Sequence, residues 1–294
     1  MQRTFSIAGF AVLSALLVAA CADTDRPQLR GALYFLSGNY LAMLDLRDGS
    51  TSVVSNLGEV NIESLSPQLE ERLLLNVIDS AEQRERRLLV LYDIATHQTH
   101  TILSGRNGHY LPGTRTLVYD DGIRIFVTER VRGTWEKTEV AEHRYNESVD
   151  IVPLSATRFI YRIGDGPFVV YDKTAARSIE LTALESACRL DRALWFVDRE
   201  EMLCQLRDAD EQADYAFVGL DGAVGHRVPL SPAHDLRPLV FLPDQDVLLL
   251  TERWQGGLAR RVNWGVWVYR FDTQEAYRLF DDQYLGDSVY YVPD

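Results

Sequence analysis

The chain has 294 residues, of which 46% are hydrophobic and 25% are charged, so it is long enough for one large globular domain or two small ones. Its formal net charge is −13 at pH 7. Because phosphate contacts need clustered lysine and arginine, this charge argues against direct binding of nucleic acid.

The N-terminus has the pattern of a targeting segment. Arg3 gives it a short positive start, and the uncharged apolar run FSIAGFAVLSALLVAA follows. That run has about the length of a signal peptide's hydrophobic region and is short for a membrane-spanning helix. It ends in LVAAC, which resembles the bacterial lipobox, where small residues precede a cysteine that is lipidated and becomes the new N-terminus.

The lipobox resemblance implies three parts before the folded domain: a signal peptide over 1–20, a lipidated Cys21, and a tether that completes the segment 21–30. Ala22 follows the cysteine, where aspartate would be the familiar inner-membrane retention signal. The resemblance therefore implies sorting to the outer membrane. An ordinary secretory signal with an incidental cysteine is the alternative.

Beyond residue 30, short runs of β-branched and aromatic residues alternate with turn residues, which is typical of an all-β domain. One unit recurs, in which an apolar run, a proline or aspartate, a polar turn and a second apolar run follow one another. Its copies are centred, at intervals of 45, 41, 45 and 45 residues, on Pro67, Pro112, Pro153, Asp198 and Pro243. A strand–turn–strand unit such as LLVLYDIATHQTHTIL follows most copies. Four strands in about 45 residues are the content of one β-propeller blade.

The two ends of the chain complement each other. GALYFLS (31–37), YLAMLDL (40–46) and STSVVSN (50–56) supply the second, third and fourth strands of a first blade. SVYYVP (288–293) supplies an innermost strand with nothing after it. The sequence therefore predicts an all-β, six-bladed propeller over 31–294, in which the C-terminal strand completes blade one and removes the open sheet edge there. A β-sandwich with coincidental spacing is the alternative.

The repeats resemble the propellers of the TolB-like (WD40-like, PD40-type) family, whose blades carry a Ser-Pro-Asp-Gly-like turn before an apolar strand. LSPQ and LPDQ match that turn in part, and LPGT matches it more loosely. The resemblance covers roughly residues 31–294. It implies the propeller fold and a location in the bacterial envelope.

Polar residues precede each turn by six positions, where each innermost strand would begin at the mouth of the central channel. They are Asn61, Arg106, Glu147, Arg192, Arg237 and Asp287. Guanidinium groups suit carboxylate and phosphate, so this ring is a candidate site for an anionic group. The alternative is a solvated mouth in which arginines and acids neutralise one another.

Two long loops are expected at the same mouth. Blade six contributes ERWQGGLARRVNWG (252–265), and blade two contributes DSAEQRERRL (79–88). Tryptophan and arginine are enriched at interface hot spots, and loops on rigid scaffolds often carry function. The residues predicted to bind a partner are Trp254, Arg260, Arg261 and Trp264. A flexible hairpin whose tryptophans cover the blade edge is the alternative.

Two cysteines remain once Cys21 is assigned to lipidation. In an oxidising envelope Cys188 and Cys204 could pair. A hairpin that turns at Asp198, however, sets Cys204 opposite a residue near Trp195, so pairing requires the incoming loop to fold back. Two separate buried thiols are the alternative.

Motifs for catalysis are lacking, since the chain has no Gly-x-Ser-x-Gly elbow and no His-Glu-x-x-His metal motif. His97 and His100 are expected to be exposed on an outer strand, pointing to opposite faces. Six-bladed propellers such as gluconolactonases hold a divalent metal in the channel with oxygen ligands. The candidates near the strand starts are Glu63, Asn107, Asn146, Glu147, Asp150, Asp235 and Asp287. They suit Ca²⁺ or Mg²⁺, although the adjacent arginines oppose a cation.

The sequence thus predicts no catalytic residue and no resident cofactor, and a channel Ca²⁺ or Mg²⁺ is not favoured. The expected function is a binding scaffold, held to the membrane by Cys21 and joined to an envelope protein. A metal-dependent lactonase-like hydrolase and a structural subunit of an envelope complex are the alternatives. Because the tether enters from the proline-turn face, that face is expected to lie toward the membrane, with the 252–265 loop turned away.

Overall fold

The chain folds as a ring of six four-stranded antiparallel sheets, which confirms the predicted propeller. The computed structural model describes residues 28–37, 40–56, 61–67, 72–80, 85–145, 147–196, 199–207, 215–230, 235–256, 261–281, 285 and 289–294. The predicted signal peptide, the lipidated Cys21 and most of the tether lie outside the described residues.

The first three blades follow the predicted repeat. Blade one comprises β1 (Ala32–Ser37), β2 (Tyr40–Asp45), β3 (Thr51–Asn56) and the C-terminal strand β24 (Val289–Val292). Blade two comprises β4 (Asn61–Pro67), β5 (Arg72–Asp79), β6 (Arg86–Asp93) and β7 (Thr99–Ser104). Blade three comprises β8 (Arg106–Tyr110), β9 (Leu117–Asp120), β10 (Arg124–Val131) and β11 (Thr134–Glu142).

The other three blades repeat the same order. Blade four comprises β12 (Val149–Pro153), β13 (Arg158–Ile163), β14 (Val169–Asp172) and β15 (Arg177–Glu180). Blade five comprises β16 (Cys188–Phe196), β17 (Glu201–Leu206), β18 (Tyr215–Gly219) and β19 (Val224–Val228). Blade six comprises β20 (Leu236–Leu242), β21 (Val247–Gly256), β22 (Arg261–Arg270) and β23 (Glu275–Asp281).

The innermost strand of each blade lies next to the central axis. It is β24 in blade one, and in the other blades it is the strand that comes first in the chain, namely β4, β8, β12, β16 and β20. Strand β8 contacts β4 and β12, and β20 contacts β16 and β24, so the innermost strands of neighbouring blades touch one another. We call the end of the ring where these strands begin the mouth face. The opposite end, where they finish at the recurring prolines, is the proline-turn face. Strand β4 ends at Pro67 and β12 ends at Pro153, as the repeat pattern predicts.

The ring closes through the last strand of the chain. Strand β24 pairs antiparallel with β1, with Leu33 opposite Tyr291 and Phe35 opposite Val289. The Tyr291 hydroxyl donates to Asp244 Oδ2 at 2.9 Å and accepts from Gln245 Nε2 at 2.7 Å. Both partners lie in the β20–β21 turn of blade six. The C-terminal strand therefore belongs to blade one by its backbone pairing and to blade six by its side-chain hydrogen bonds.

The hydrophobic core is divided among the six blade interfaces. Each buried apolar cluster joins residues of two neighbouring blades, and one cluster fills each interface from blade one round to blade six. The largest wholly buried side chains include Tyr92, Phe159, Phe217 and Tyr269. Because strands alternate their side chains between the two faces of a sheet, every blade contributes to two interfaces. No blade can bury both of its faces alone, which is why the ring must close.

The outer hairpins share one turn geometry. Asp45, Asp93 and Asp172 each end the third strand of a blade, and their carboxylates accept from backbone N–H groups of the turn at 2.8–2.9 Å. The fourth residue after each aspartate has positive φ, at Gly49, His97 and Ala176. Short aspartate side chains stabilise such turns by mimicking backbone acceptors. His97 therefore lies in this turn, and His100 is exposed in β7.

The helix α1 (Thr182–Ala187) in the connection between blades four and five was not predicted. Its start at Leu181 lacks a side-chain cap, so the sequence carries no helix signal there. It forms because Leu184 is wholly buried in the interface between these blades, and Glu185 accepts from the Phe168 N–H at 2.6 Å. Among the described residues, no helix has the length and apolarity needed to cross a membrane.

Cys188 and Cys204 form a disulfide, with their Cα atoms 5.7 Å apart. Near the turn the hairpin has the predicted register, with Leu194 opposite Leu203, and the disulfide excludes the alternative of two separate buried thiols. The register of β16 against β17 shifts between Arg189 and Leu194, so four residues of β16 lie across from one residue of β17. This irregularity brings Cys188 opposite Leu206, within reach of Cys204.

Candidate functional site

The predicted ring at the channel mouth is only partly visible. Asn61 is exposed at the first position of β4, and Glu147 is half-buried just before β12. Arg237 lies in β20, with Nη2 at 3.4 Å from Asp235 Oδ2. The side chain of Arg192 in β16, and the whole of Asp287, lie outside the described part of the chain. The binding role of the ring therefore stays a prediction.

Arg106 is held within the protein at the start of β8. Its side chain is only 13% exposed, and Nε donates to Asp120 Oδ2 at 2.5 Å. Nη2 donates to the Glu147 backbone oxygen at 3.0 Å, which joins blade three to blade four. The guanidinium is thus engaged on two sides. Its described contacts are those of a structural group that fixes the start of β8.

Asp120 is the centre of a buried polar network that the sequence analysis missed. The carboxylate is wholly buried and also accepts from Gly122 N–H at 2.6 Å. His143, equally buried, places Nε2 at 3.0 Å from Asp120 Oδ1 and Nδ1 at 2.9 Å from the Arg144 backbone oxygen. Both ring nitrogens lie within hydrogen-bond distance of an oxygen atom, which fixes the orientation of the imidazole beside Asp120. No local motif joins His143 to Arg106, because the two are far apart in sequence.

The candidate metal ligands in the described residues are held by other protein groups. Glu63 accepts from Arg87 Nη1 at 2.9 and 3.0 Å, and Asp150 accepts from Arg162 Nη2 at 2.6 Å. Glu147 Oε2 accepts from the Arg144 N–H at 2.7 Å. Asn107 donates to the Val149 carbonyl at 2.8 Å. Asn146 and Asp287 lie outside the described residues, and within those described no three acidic, histidine or cysteine side chains form a group that could hold a metal.

His109 gives the inner strand β8 a pH-sensitive position. It is half-buried, and burial lowers the pKa of its imidazole to about 4. In the unfolded chain the same group titrates near 6.5, so the unfolded state binds the proton first as the pH falls from 6.5 to 4.

We therefore expect the free energy of unfolding to fall across this pH range more steeply in the wild type than in His109→Gln, by up to about 3 kcal/mol in total. Urea denaturation of both proteins at several pH values between 7 and 4 measures the difference. For each protein, the free energy of unfolding at each pH is expressed relative to that protein's own value at pH 7. Parallel pH profiles for the two proteins would contradict the assignment.

The blade-six loop is an extension of the sheet rather than an irregular loop. Pairing of β21 with β20 ends at Glu252, and pairing of β22 with β23 begins at Gly265. Beyond these points β21 and β22 continue to pair with each other, from Arg253 opposite Trp264 to Gly256 opposite Arg261. We call residues 253–256 and 261–264 the blade-six ribbon. It projects from the mouth face.

The base of the ribbon is held by buried side-chain contacts. Glu252 is buried at 2% exposure, and its Oε2 accepts from Trp267 Nε1 at 2.7 Å and from Arg278 Nη2 at 2.5 Å. The Arg278 guanidinium carbon also lies 5.2 Å from the centre of the Trp267 ring. A buried carboxylate with charged and neutral donors fixes β21 at the level where the ribbon leaves the sheet.

Trp264 and Arg253 form the described side-chain pair on the ribbon. They lie opposite each other across the hairpin, with the Arg253 guanidinium carbon 5.6 Å from the Trp264 ring centre. Arg253 was missed by the sequence analysis, although hairpin register was the signal that could have found it. The side chains of Trp254 and Arg261, and the whole of Arg260, lie outside the described part.

The blade-two loop (79–88) contributes to a cleft of about 330 Å³ at the mouth face, between blades two and three. Its described lining carries both signs of charge, with Arg86, Arg87 and Arg106 beside Glu85 and Asp121. Mixed charges of this kind favour a solvated surface over a site for one class of ion.

Comparison with known proteins supports the architecture. No family model matches the chain, and no curated protein matches it by sequence. Among solved structures, TolB from Acinetobacter baumannii matches with a TM-score of 0.55 at 13% identity, over 90% of this chain and 67% of that one. An oligogalacturonate lyase in complex with manganese matches with a TM-score of 0.52 at 17% identity, over 75% of this chain and 70% of that one.

A chain of a Mitotic Checkpoint Complex also matches, with a TM-score of 0.50 at 12% identity, over 88% of this chain and 81% of that one. At such low identity these likenesses report the fold and not a shared activity. The protein is a six-bladed β-propeller of the architecture found in TolB and in oligogalacturonate lyase.

Proposed function

We propose that the protein is a lipid-anchored propeller of the bacterial envelope that binds a protein partner through its blade-six ribbon. The observation that carries the proposal is the ribbon itself, a paired extension that leaves the sheet and places an Arg253–Trp264 pair beyond it. Tryptophan and arginine are the residues that most often dominate protein interfaces. A hairpin with a fixed base loses little conformational entropy on binding.

The start of the described chain supports the proposed orientation. Arg30 N–H donates to Gln245 Oε1, and Gln245 Nε2 donates to the Arg30 carbonyl, both at 3.0 Å. Leu29 is buried in the interface between blades one and six. The tether thus reaches the ring at the proline-turn face, and a lipid on Cys21 would hold that face toward the membrane. The ribbon, on the mouth face, would then point away from the bilayer.

The disulfide supports a location outside the cytoplasm. Disulfides persist in oxidising compartments such as the bacterial periplasm and are rare where thiols are kept reduced. Cys188 and Cys204 are both wholly buried and bonded across β16 and β17. An envelope location is therefore in keeping with both the lipobox-like N-terminus and this bond.

The partner is tested by two captures from mild detergent, one of the tagged full chain with a photo-reactive aromatic residue in place of Trp264, and one of the tagged wild type and variants without that residue. Trp254→Ala/Trp264→Ala is compared with Tyr40→Ala/Tyr145→Ala, which removes two exposed aromatic rings from other parts of the ring surface. We expect one stoichiometric partner that cross-links at position 264, is lost in the tryptophan variant and is kept in the tyrosine variant. A partner retained by both variants would place the binding surface elsewhere.

Anchoring is tested separately with Cys21→Ser. We expect this variant to leave the membrane fraction and to appear in the soluble fraction of the envelope, with its disulfide intact. If it stays in the membrane fraction, the lipid is not what holds the protein there.

A further inference from the structure

A cleft on the proline-turn face, between blades two and three, differs from the sites described above. It has a volume of about 420 Å³, within the range of sites that hold small molecules. Both blades contribute polar and aromatic lining residues, which include Arg72, His100, Tyr110, Arg115, Arg130 and Trp135. These residues come from five separate segments of the chain, so no linear motif marks the cleft.

The described lining of this cleft has only one sign of charge. Three arginines line it and no aspartate or glutamate does so, although one of the arginines, Arg72, pairs with Asp93 beside the cleft. The whole protein has a net charge of −13, and two other clefts each combine arginines with acids. A cleft lined by positive charge raises the local concentration of anions, even though the protein as a whole is negatively charged.

The walls of the cleft are held in place by described contacts. Arg130 lies opposite Trp135 across β10 and β11, which are joined by a two-residue turn with positive φ at Arg132 and Gly133. That geometry matches a type I′ turn, the tight connection that suits twisted hairpins. On the other side Arg72 Nε donates to Asp93 Oδ2 at 3.2 Å.

Tyr110 forms the floor between the two walls. It is 7% exposed, and burial raises the pKa of its hydroxyl to about 12, against the opposing charges of Arg130 and Arg72. Both arginines line the same cleft as this phenol. With Trp135, this ring gives the cleft an aromatic surface beside its cations.

We propose that this cleft binds a phosphate monoester carried on a small sugar or on a lipid headgroup. Such a group carries about −1.5 to −2 charge at pH 7 and three acceptor oxygens, which several guanidinium forks can share. Trp135 and Tyr110 offer an apolar wall to the moiety that carries the phosphate. The cleft opens on the face where the tether enters, so either source can reach it. The inference does not depend on the blade-six ribbon.

The test measures binding to the full chain by isothermal titration at low ionic strength. The probes are glucose 6-phosphate, glucose, and a short-chain phosphatidic acid below its micelle concentration. Arg115→Gln/Arg130→Gln removes two exposed cations from the cleft, and Arg177→Gln/Arg189→Gln removes two exposed cations from blades four and five. All four positions are exposed, so melting temperatures should match the wild type, and they are measured to confirm that each variant folds.

We expect at least one phosphate to bind the wild type and glucose not to bind. The cleft variant should weaken phosphate binding about tenfold or more, and the control variant by less than about twofold. The affinities for glucose 6-phosphate and for phosphatidic acid are then compared. Equal affinities indicate that the cleft recognises the phosphate alone, and tighter binding of phosphatidic acid indicates that it recognises a lipid headgroup. Absence of phosphate binding to the wild type, or equal weakening by both variants, would overturn the proposal.

Discussion

Tyr291→Ala is expected to lower the free energy of unfolding by about 3–5 kcal/mol, the range for deleting a large aromatic side chain from a packed core. Tyr291 is 7% exposed and packs in the cluster between blades one and six. Its hydroxyl is bonded to Asp244 and Gln245, and Gln245 in turn binds the backbone of Arg30. One side chain therefore links the last strand to the β20–β21 turn and, through Gln245, to the first described residues of the ring.

Two further variants separate packing from hydrogen bonding. Tyr291→Phe keeps the ring and removes the hydroxyl, so it should cost about 1–2 kcal/mol through the unpaired Asp244 and Gln245. Tyr145→Ala removes a tyrosine that is 75% exposed and should change stability by less than about 0.5 kcal/mol. Urea unfolding of the full chain measures all three. If Tyr291→Ala costs no more than Tyr145→Ala, the ring does not depend on this closure.

The architecture could be predicted from sequence because the propeller repeats its turns. A proline or aspartate at the end of each inner strand, or one to two residues after it in the sequence, recurs at the length of a blade. The half-repeats at 31–37 and 288–293 complement each other. The structure places these two segments side by side as β1 and β24. Periodic signals of this kind survive because each blade must solve the same packing problem against its two neighbours.

Side-chain directions could not be predicted in the same way, because single-residue irregularities decide them. A regular count across the β8–β9 hairpin sets Arg106 opposite Asp121. The register shifts between Arg106 and His109, and Asn107 takes a positive φ of 51°, so Arg106 pairs with Asp120 instead. A bulge of one residue exchanges the two faces of a strand. A larger irregularity, with four residues of β16 across from one residue of β17, brought Cys188 to Cys204.

The cleft on the proline-turn face, for which we propose phosphate binding, shows a second limit of sequence analysis. Its arginines at positions 72, 115 and 130 are separated along the chain and belong to two blades. Nothing in the local sequence of any one of them distinguishes it from a solvated surface arginine. Their shared position depends on how blade two packs against blade three, which only the three-dimensional arrangement provides.

Arg106→Met is expected to destabilise the protein by about 3 kcal/mol, at the lower end of the cost of breaking a buried ion pair, since His143 still contacts the carboxylate. The variant leaves Asp120 wholly buried without its guanidinium partner and removes the link to the Glu147 carbonyl.

Arg87→Met is the matched control for this change. It removes the same side chain from the mouth face of the neighbouring blade, where the Arg87–Glu63 pair is 39% and 32% exposed. Exposed pairs contribute at most about 1 kcal/mol because water screens them. Urea unfolding of both variants should therefore separate them clearly, and addition of Asp120→Asn to Arg106→Met should recover part of the loss by removing the uncompensated charge. Equal losses for Arg106→Met and Arg87→Met would mean that Asp120 is solvated in solution, and the network at the start of β8 would then be no more than a surface contact.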